Sequence, residues 1–172
     1  YLEWYYNTDE SDVDFLDRNP DLQKRCAVKT MNLPILADII EGAAFIAPTE
    51  WQKQQFPQVI RSQINVVPDG IDTDYFCPNP KAKLVLNSGR TLTASDRVVT
   101  YAARGADPYR GFQSFINALE KLQKVDPTVE AVISGDQLVH YGAGEGTSCH
   151  FDEVMAGASL DMARTHFVGF LP

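Results

Sequence analysis

The sequence is poor in the features that assign a function at sight. Its longest uninterrupted apolar run, Ala43 to Ala47, falls far short of the roughly 20 residues that a membrane helix needs. It has no basic start leading into an apolar core and a small-residue cleavage site, so no secretory signal is visible. Cysteine is sparse: Cys26, Cys77 and Cys149 lie far apart and form no C-x-x-C pair. An odd, scattered set of thiols fits a reducing cytoplasm better than a disulfide framework. Histidine is equally scarce, and His140, His150 and His166 have no metal-ligand spacing. Basic residues are in deficit, 15 Lys and Arg against 23 Asp and Glu, for a net charge of −8. That field opposes non-specific binding to nucleic acid, which depends on cations neutralising phosphates. A small basic pocket for one phosphorylated ligand remains compatible with it.

What is present is ordinary globular material. The chain has 172 residues, 44% apolar and 22% charged, enough for one domain or for parts of two. Residues 21–31 and 33–40 read as two helices, with Pro34 in the first turn of the second, where no amide donor is needed. The apolar residues Ile35, Leu36 and Ile39 have no obvious cover in the sequence, so self-association of the chain is an expectation. Ala43 to Ala47 reads as a short buried strand. Thr49 and Gln52 after it have capping-box spacing for a helix on which Trp51 and Phe56 share a core face. Ile64 to Val67 is a second strand. Residues 68–96 are turn-rich and polar apart from Leu84 to Leu86, and read as a connector. Val98 to Ala103 is a strand, and a helix follows from Gly111 with Phe112, Phe115, Ile116, Leu119 and Leu122 on one stripe. Val129 to Ser134 and His166 to Gly169 are further strands. Strands alternating with helices predict α/β layers around parallel sheets.

The loop from Arg104 to Arg110 is the most informative local feature. A strand-to-helix junction exposes free amide donors at the carboxyl edge of a sheet. Arg104 and Arg110 could pair there with a diphosphate, and Gly105 and Gly111 would let backbone approach it. On local composition alone, a solvated loop with surface arginines is the commoner arrangement. The spacing is not that of a P-loop, since Phe112-Gln113 follows where Lys then Ser or Thr would stand. The run Gly142 to Gly146 follows no strand directly and reads as a mobile loop. Asp69, Asp72 and Asp74 read as turn residues rather than a calcium loop. Cys149-His150 reads as loop. The aromatic cluster Tyr1, Trp4, Tyr5 and Tyr6 reads as packing against a neighbouring element more readily than as a sugar platform.

Taken in order, four stretches resemble the GT-B retaining glycosyltransferases of group 1, the glycogen-synthase-like superfamily. Phe45-Ile46-Ala47-Pro48-Thr49 is similar to the family's late N-domain strand and its turn. Val66 to Asp72 with Phe76 and Pro78 resembles the inter-domain signature, with Asp69 in place of its usual Asn. Tyr101 to Gly111 resembles the first strand and phosphate loop of the donor domain. His166 to Phe170 resembles the later strand beside the nucleotide base.

The resemblance implies two Rossmann-like parts joined by a hinge: residues 1–67 from the acceptor-side domain, 68–96 linking, and 97–172 from the nucleotide-sugar domain. It implies donor-diphosphate binding by Arg104, Arg110, Gly105 and Gly111, with Arg110 where the family usually has Lys. Gly135, Gly169, Phe170 and Leu171 would lie near the nucleotide. No metal or cofactor is implied; the partners are a nucleotide sugar and a glycan, lipid-linked or small-molecule hydroxyl acceptor. The family's glycine-rich loop and its Glu-x7-Glu motif are not found between Tyr1 and Pro172, so the chain is expected to be a central fragment, inactive alone and with its catalytic residues elsewhere. Two other readings stand beside this one. A non-catalytic nucleotide- or sugar-binding module would lack the downstream carboxylates. A nicotinamide-dependent oxidoreductase would need a glycine fingerprint with an acidic partner about 20 residues on.

Overall fold

The computed structural model describes residues 5–7, 21–42, 44–140 and 144–171. Tyr1, Trp4, Ala43, Gly142 and Ala143 lie outside the described residues. Two compact units divide the chain, Tyr1–Cys77 and Pro78–Pro172.

In the first unit, α1 (Leu22–Glu41) is one continuous 20-residue helix, not two. Pro34 sits inside it, although a helix interior loses an amide donor at proline. Asp21 starts the helix by accepting from the Lys24 amide at 2.8 Å. Packing offsets the proline: Ile35, Leu36 and Ile39 lie against the core of Phe45, Ala47, Phe56, Ile60 and Ile64. The expectation that those three side chains lack cover is therefore corrected. The buried Asn32 side chain adds a second tie, accepting from the Tyr6 amide at 3.0 Å and donating to the Tyr6 carbonyl at 2.8 Å. Tyr5 packs on Phe56 with ring centroids 5.2 Å apart, the packing role expected for that aromatic.

Strand β1 (Phe45–Ala47) leads into α2 (Glu50–Gln55), whose Thr49 cap accepts from the Gln52 amide at 3.1 Å. A short helix, α3 (Gln58–Arg61), then precedes β2 (Ile64–Val66). The two strands pair in parallel, Phe45 opposite Ile64. Phe56 is fully buried, whereas Trp51 is half exposed, so only one of the pair joins the core. Asp72 accepts from the amides of Asp74 and Tyr75, which makes the acidic stretch a side-chain-stabilised turn.

In the second unit, residues 83–93 form a hairpin, β3 (Lys83–Val85) and β4 (Thr91–Thr93), inside the stretch expected as a connector. Its strands alternate over so few residues that the period-2 signal is lost, but Leu86 and Leu92 are buried with Val132. A parallel sheet follows, in spatial order β5 (Val98–Ala102), β6 (Glu130–Ser134), β7 (Thr165–Gly169). Every residue of the central β6 is buried, as expected for a strand covered on both faces. One face carries Val132 and Val168 beneath the hairpin. The other carries Tyr101, Ile133 and Phe167 beneath α4 (Phe112–Val125) and α5 (Cys149–Gly157).

Helix α4 places Phe112, Ile116 and Leu119 in the core and ends at Asp126, before Pro127. Its C-terminal end is held by Arg164, which donates to the carbonyls of Gln123, Asp126 and Val129 at 3.0–3.2 Å. The buried Gln123 amide bonds Thr165 and Asp161 across the same junction. Cys149 and His150 open α5 and do not lie in a loop. Gly144 to Thr147 are tied back to buried Val139, which donates to the Thr147 carbonyl and accepts from the Gly146 amide. That part of the glycine-bearing loop is therefore anchored by backbone pairing.

Candidate functional site

At the carboxyl ends of β5, β6 and β7 lies a cleft of about 450 Å³. Its apolar wall is a chain of rings: Tyr101 on Phe112 at 5.5 Å, Phe112 stacked on Phe151 at 5.5 Å, and Phe151 edge-on to Phe167 at 5.7 Å. Gly135, Asp136, Gly169 and Phe170 form part of its rim. Such geometry suits a flat, largely apolar group reached from the sheet's carboxyl edge, where open α/β sheets take their ligands.

The sequence fixes this shape in two ways. Parallel β5–α4–β6 packing sends consecutive loops to one edge, and glycine opens that edge. Gly135 has φ +113°, and a side chain there would overlap the Ala103 carbonyl oxygen and sit 3.1 Å from the Arg104 carbonyl oxygen. The Gly135 amide instead donates to the Gly169 carbonyl at 2.9 Å, and the Ser134 hydroxyl donates to the same carbonyl at 2.8 Å. The end of β7 is thereby drawn against the end of β6.

The arginine loop borders this edge. Arg104 follows Ala103 and is exposed; no ion pair of its side chain occurs among the described residues. Gly105 is buried, and the space its side chain would fill is taken by the Leu138 carbonyl, the His140 ring and the Asp136 carboxylate. Its smallness admits a neighbouring loop. Arg110 ends a short 3-10 turn (Pro108–Arg110), and Gly111, at φ +73° with open space around it, reverses the chain into α4. The first amides of α4 have no intrahelical acceptor and carry the positive end of the helix dipole.

Of the residues singled out in the sequence, Gly135, Gly169 and Phe170 line the cleft. Arg104, Gly105, Arg110, Gly111 and Leu171 are not among its lining residues. Asp107, His140 and Asp136 escaped sequence reading. Asp107 is fully buried and accepts from the His140 amide at 2.7 Å. Asp136 accepts from the Leu138 amide at 2.9 Å and lies 2.9 Å from His140 Nε2. Partial burial opposes charge on Asp136, but the Leu138 amide, His140 and then Arg104 outweigh it and hold its carboxyl below the usual range. Tyr101 is pushed up to about 12, first by burial and then by the Asp107 charge, with Arg110 partly offsetting both. Its hydroxyl donates to the Gly105 carbonyl at 3.2 Å. The one signal in the sequence for this network was Asp107-Pro108, a usual turn opener.

Among the described residues no group of three His, Cys, Asp or Glu side chains could hold a metal, and no helix is long and apolar enough to cross a membrane. Cys26, Cys77 and Cys149 are exposed free thiols.

Comparison with known proteins agrees with this architecture. Residues 1–76 match the sequence model of the Glycosyl transferase family 4 group. Among solved structures, TarM, a GT-B glycosyltransferase, superimposes with a TM-score of 0.52 at 13% identity. The match covers 97% of this chain and 26% of that one, so the chain spans about a quarter of TarM's length. No curated protein matches the chain by sequence. The shared architecture gives the chain an α/β, GT-B-like fold, and the match over its first 76 residues agrees with the resemblance read from its motifs.

Proposed function

We propose that the protein transfers a sugar, a hexose by its family resemblance, from a nucleotide donor with retention to a hydroxyl acceptor on a glycan, a lipid-linked glycan or a small molecule. The observation that carries the donor assignment is the aromatic cleft at the carboxyl edge of the β5–β6–β7 sheet, bordered by the Arg104–Gly111 loop. In this reading the base occupies the cleft between the phenylalanine rings and the rim of Gly135, Gly169 and Phe170, with Leu171 beyond it. The diphosphate lies outside the cleft, toward Arg104, Arg110 and the first amides of α4. When the glycosidic bond breaks, its electron pair stays with the diphosphate oxygen, and fixed cations and amides meet that charge without reorganising. No metal ion has a role in the proposal. A reducing, cytoplasmic setting is part of it, supported by the three exposed thiols.

The test uses the full-length protein. Hydrogen bonds to charged groups contribute roughly 1.5–3 kcal/mol each, and charge that develops only in the transition state raises the effect on rate. Arg104→Ala or Arg110→Ala should lower transfer by about one to two powers of ten, and nucleotide diphosphate affinity should fall with it. Acceptor affinity should change little, and Arg110→Lys should be milder than Arg110→Ala. Donor kinetics with calorimetry decide the matter: two alanine variants with wild-type binding and rate would reduce this loop to a solvated connection.

A further inference from the structure

The loop after β6 is zipped to the loop after β5. The Asp136 amide donates to the Arg104 carbonyl at 3.1 Å, the Ala106 amide to the Leu138 carbonyl at 3.1 Å, and the His140 amide to Asp107 at 2.7 Å. Gly105 lies beneath this second loop, with no room for a side chain. The zipper fixes the Asp136 carboxylate beside the residue that precedes Gly105. That carboxylate is held from its own loop: Oδ1 accepts from the Leu138 amide, and His140 Nε2 lies 2.9 Å from both oxygens. Asp136 also lines the cleft.

An exposed arginine beside an unengaged carboxylate would close onto it as a bidentate pair. Arg104 has not done so: the Asp136 oxygens are turned to His140, and the guanidinium is exposed with no ion pair among the described residues. We propose that Asp136 and His140 are a positioning pair for Arg104, in which the His140 ring occupies the carboxylate so that the guanidinium stays available to a ligand diphosphate. The inference rests on the proposed function, because it takes Arg104 to be a diphosphate group. Among the described residues, the charged groups that meet His140 are Asp136, at its ring, and Asp107, at its backbone amide. Replacing the ring therefore leaves the Asp107 tie intact.

The experiment is a double-mutant cycle in the full-length protein, read by calorimetric binding of UDP, GDP and ADP in turn near neutral pH. His140→Ala should weaken nucleotide diphosphate binding about two- to five-fold, the range of an exposed ion pair, because Arg104 then closes onto Asp136. Asp136→Asn should strengthen binding, since the competing charge is gone. The double variant should bind like Asp136→Asn, a coupling that a merely structural role does not produce. His140→Gln, which still offers an N–H to the carboxylate, should bind like the wild type. Losses that add across the cycle, or no change in any variant, overturn the positioning pair. Arg104→Ala separates the two levels of argument. If it weakens binding while the cycle is additive, only the pair is refuted. If it has no effect, or if none of the three nucleotides binds the wild type, the donor-site assignment falls and the pair with it.

Discussion

Three glycines at the sheet's carboxyl edge are required for different reasons, and alanine substitution should separate them. At Gly135 two costs combine. A positive φ of 113° is a conformation L side chains rarely adopt, and the new Cβ would overlap the Ala103 carbonyl oxygen, which is backbone and cannot swing aside. Backbone strain of this kind costs about 1–3 kcal/mol, and overpacking adds about 1–3 kcal/mol. Gly105 presents the steric cost alone: its backbone is ordinary, but the Leu138 carbonyl, the His140 ring and an Asp136 oxygen at 2.8 Å crowd the site. Gly111 presents the conformational cost alone, with φ +73° and open space around it. There the strain of about 1–2 kcal/mol is partly offset by the lower entropy of an alanine in the unfolded chain. Gly70, open and with ordinary backbone, is the control and should change stability by less than about 0.5 kcal/mol. The expected order of destabilisation is Gly135→Ala, then Gly105→Ala, then Gly111→Ala, then Gly70→Ala. Thermal unfolding resolves it, since about 1 kcal/mol shifts the midpoint of a small domain by roughly 4–8 °C. If Gly111→Ala unfolded as early as Gly135→Ala, or Gly135→Ala melted with the wild type, the steric reading of the edge would be refuted.

Two further outcomes follow from the same unit. Arg164→Ala removes the guanidinium donor from the carbonyls of Gln123, Asp126 and Val129 and should destabilise by about 2–4 kcal/mol in denaturant unfolding; a change below about 0.5 kcal/mol would mean water replaces the guanidinium fully. Tyr101 should keep its proton to about pH 12, because burial and then the Asp107 charge push its folded pKa above the ordinary tyrosine value. Its contribution to stability is therefore complete below the ordinary tyrosine range and is lost as pH rises through that higher value. Phenolate absorbance of wild type against Tyr101→Phe checks this: the difference should appear only at the alkaline end of the titration.

Much of the architecture was legible because its signals are local. The stripe of Phe112, Phe115, Ile116, Leu119 and Leu122 has helical period and needs no partner to be recognised, and helix α4 follows it. The Thr49 and Gln52 spacing marked the start of α2, and short apolar runs marked β1, β2, β5, β6 and β7. Other features depend on distant residues. Pro34 reads as a helix start, yet α1 runs through it because Ile35, Leu36 and Ile39 gain the Phe45–Phe56 core. Hairpin β3–β4 is too short for its alternation to register, and it exists by burying Leu86 and Leu92 on Val132. Trp51 and Phe56 share a local pattern, and only packing made one core and left the other half exposed.

The division at the site has the same cause. Sequence alone determined that an arginine- and glycine-bearing loop joins β5 to α4 and that glycines close β6 and β7, since strand-to-helix junctions and turn residues are written in consecutive positions. Only the tertiary structure decided what those residues face. Gly105 meets residues 136–140, which stand some thirty positions further on in the chain. Four aromatic rings from two strands and two helices converge on one cleft, and Asp136 turns to His140 instead of Arg104. Hydrogen bonds and ring contacts between loops of different strands have no period along the chain, so they become visible only when parallel pairing brings those loops to one edge.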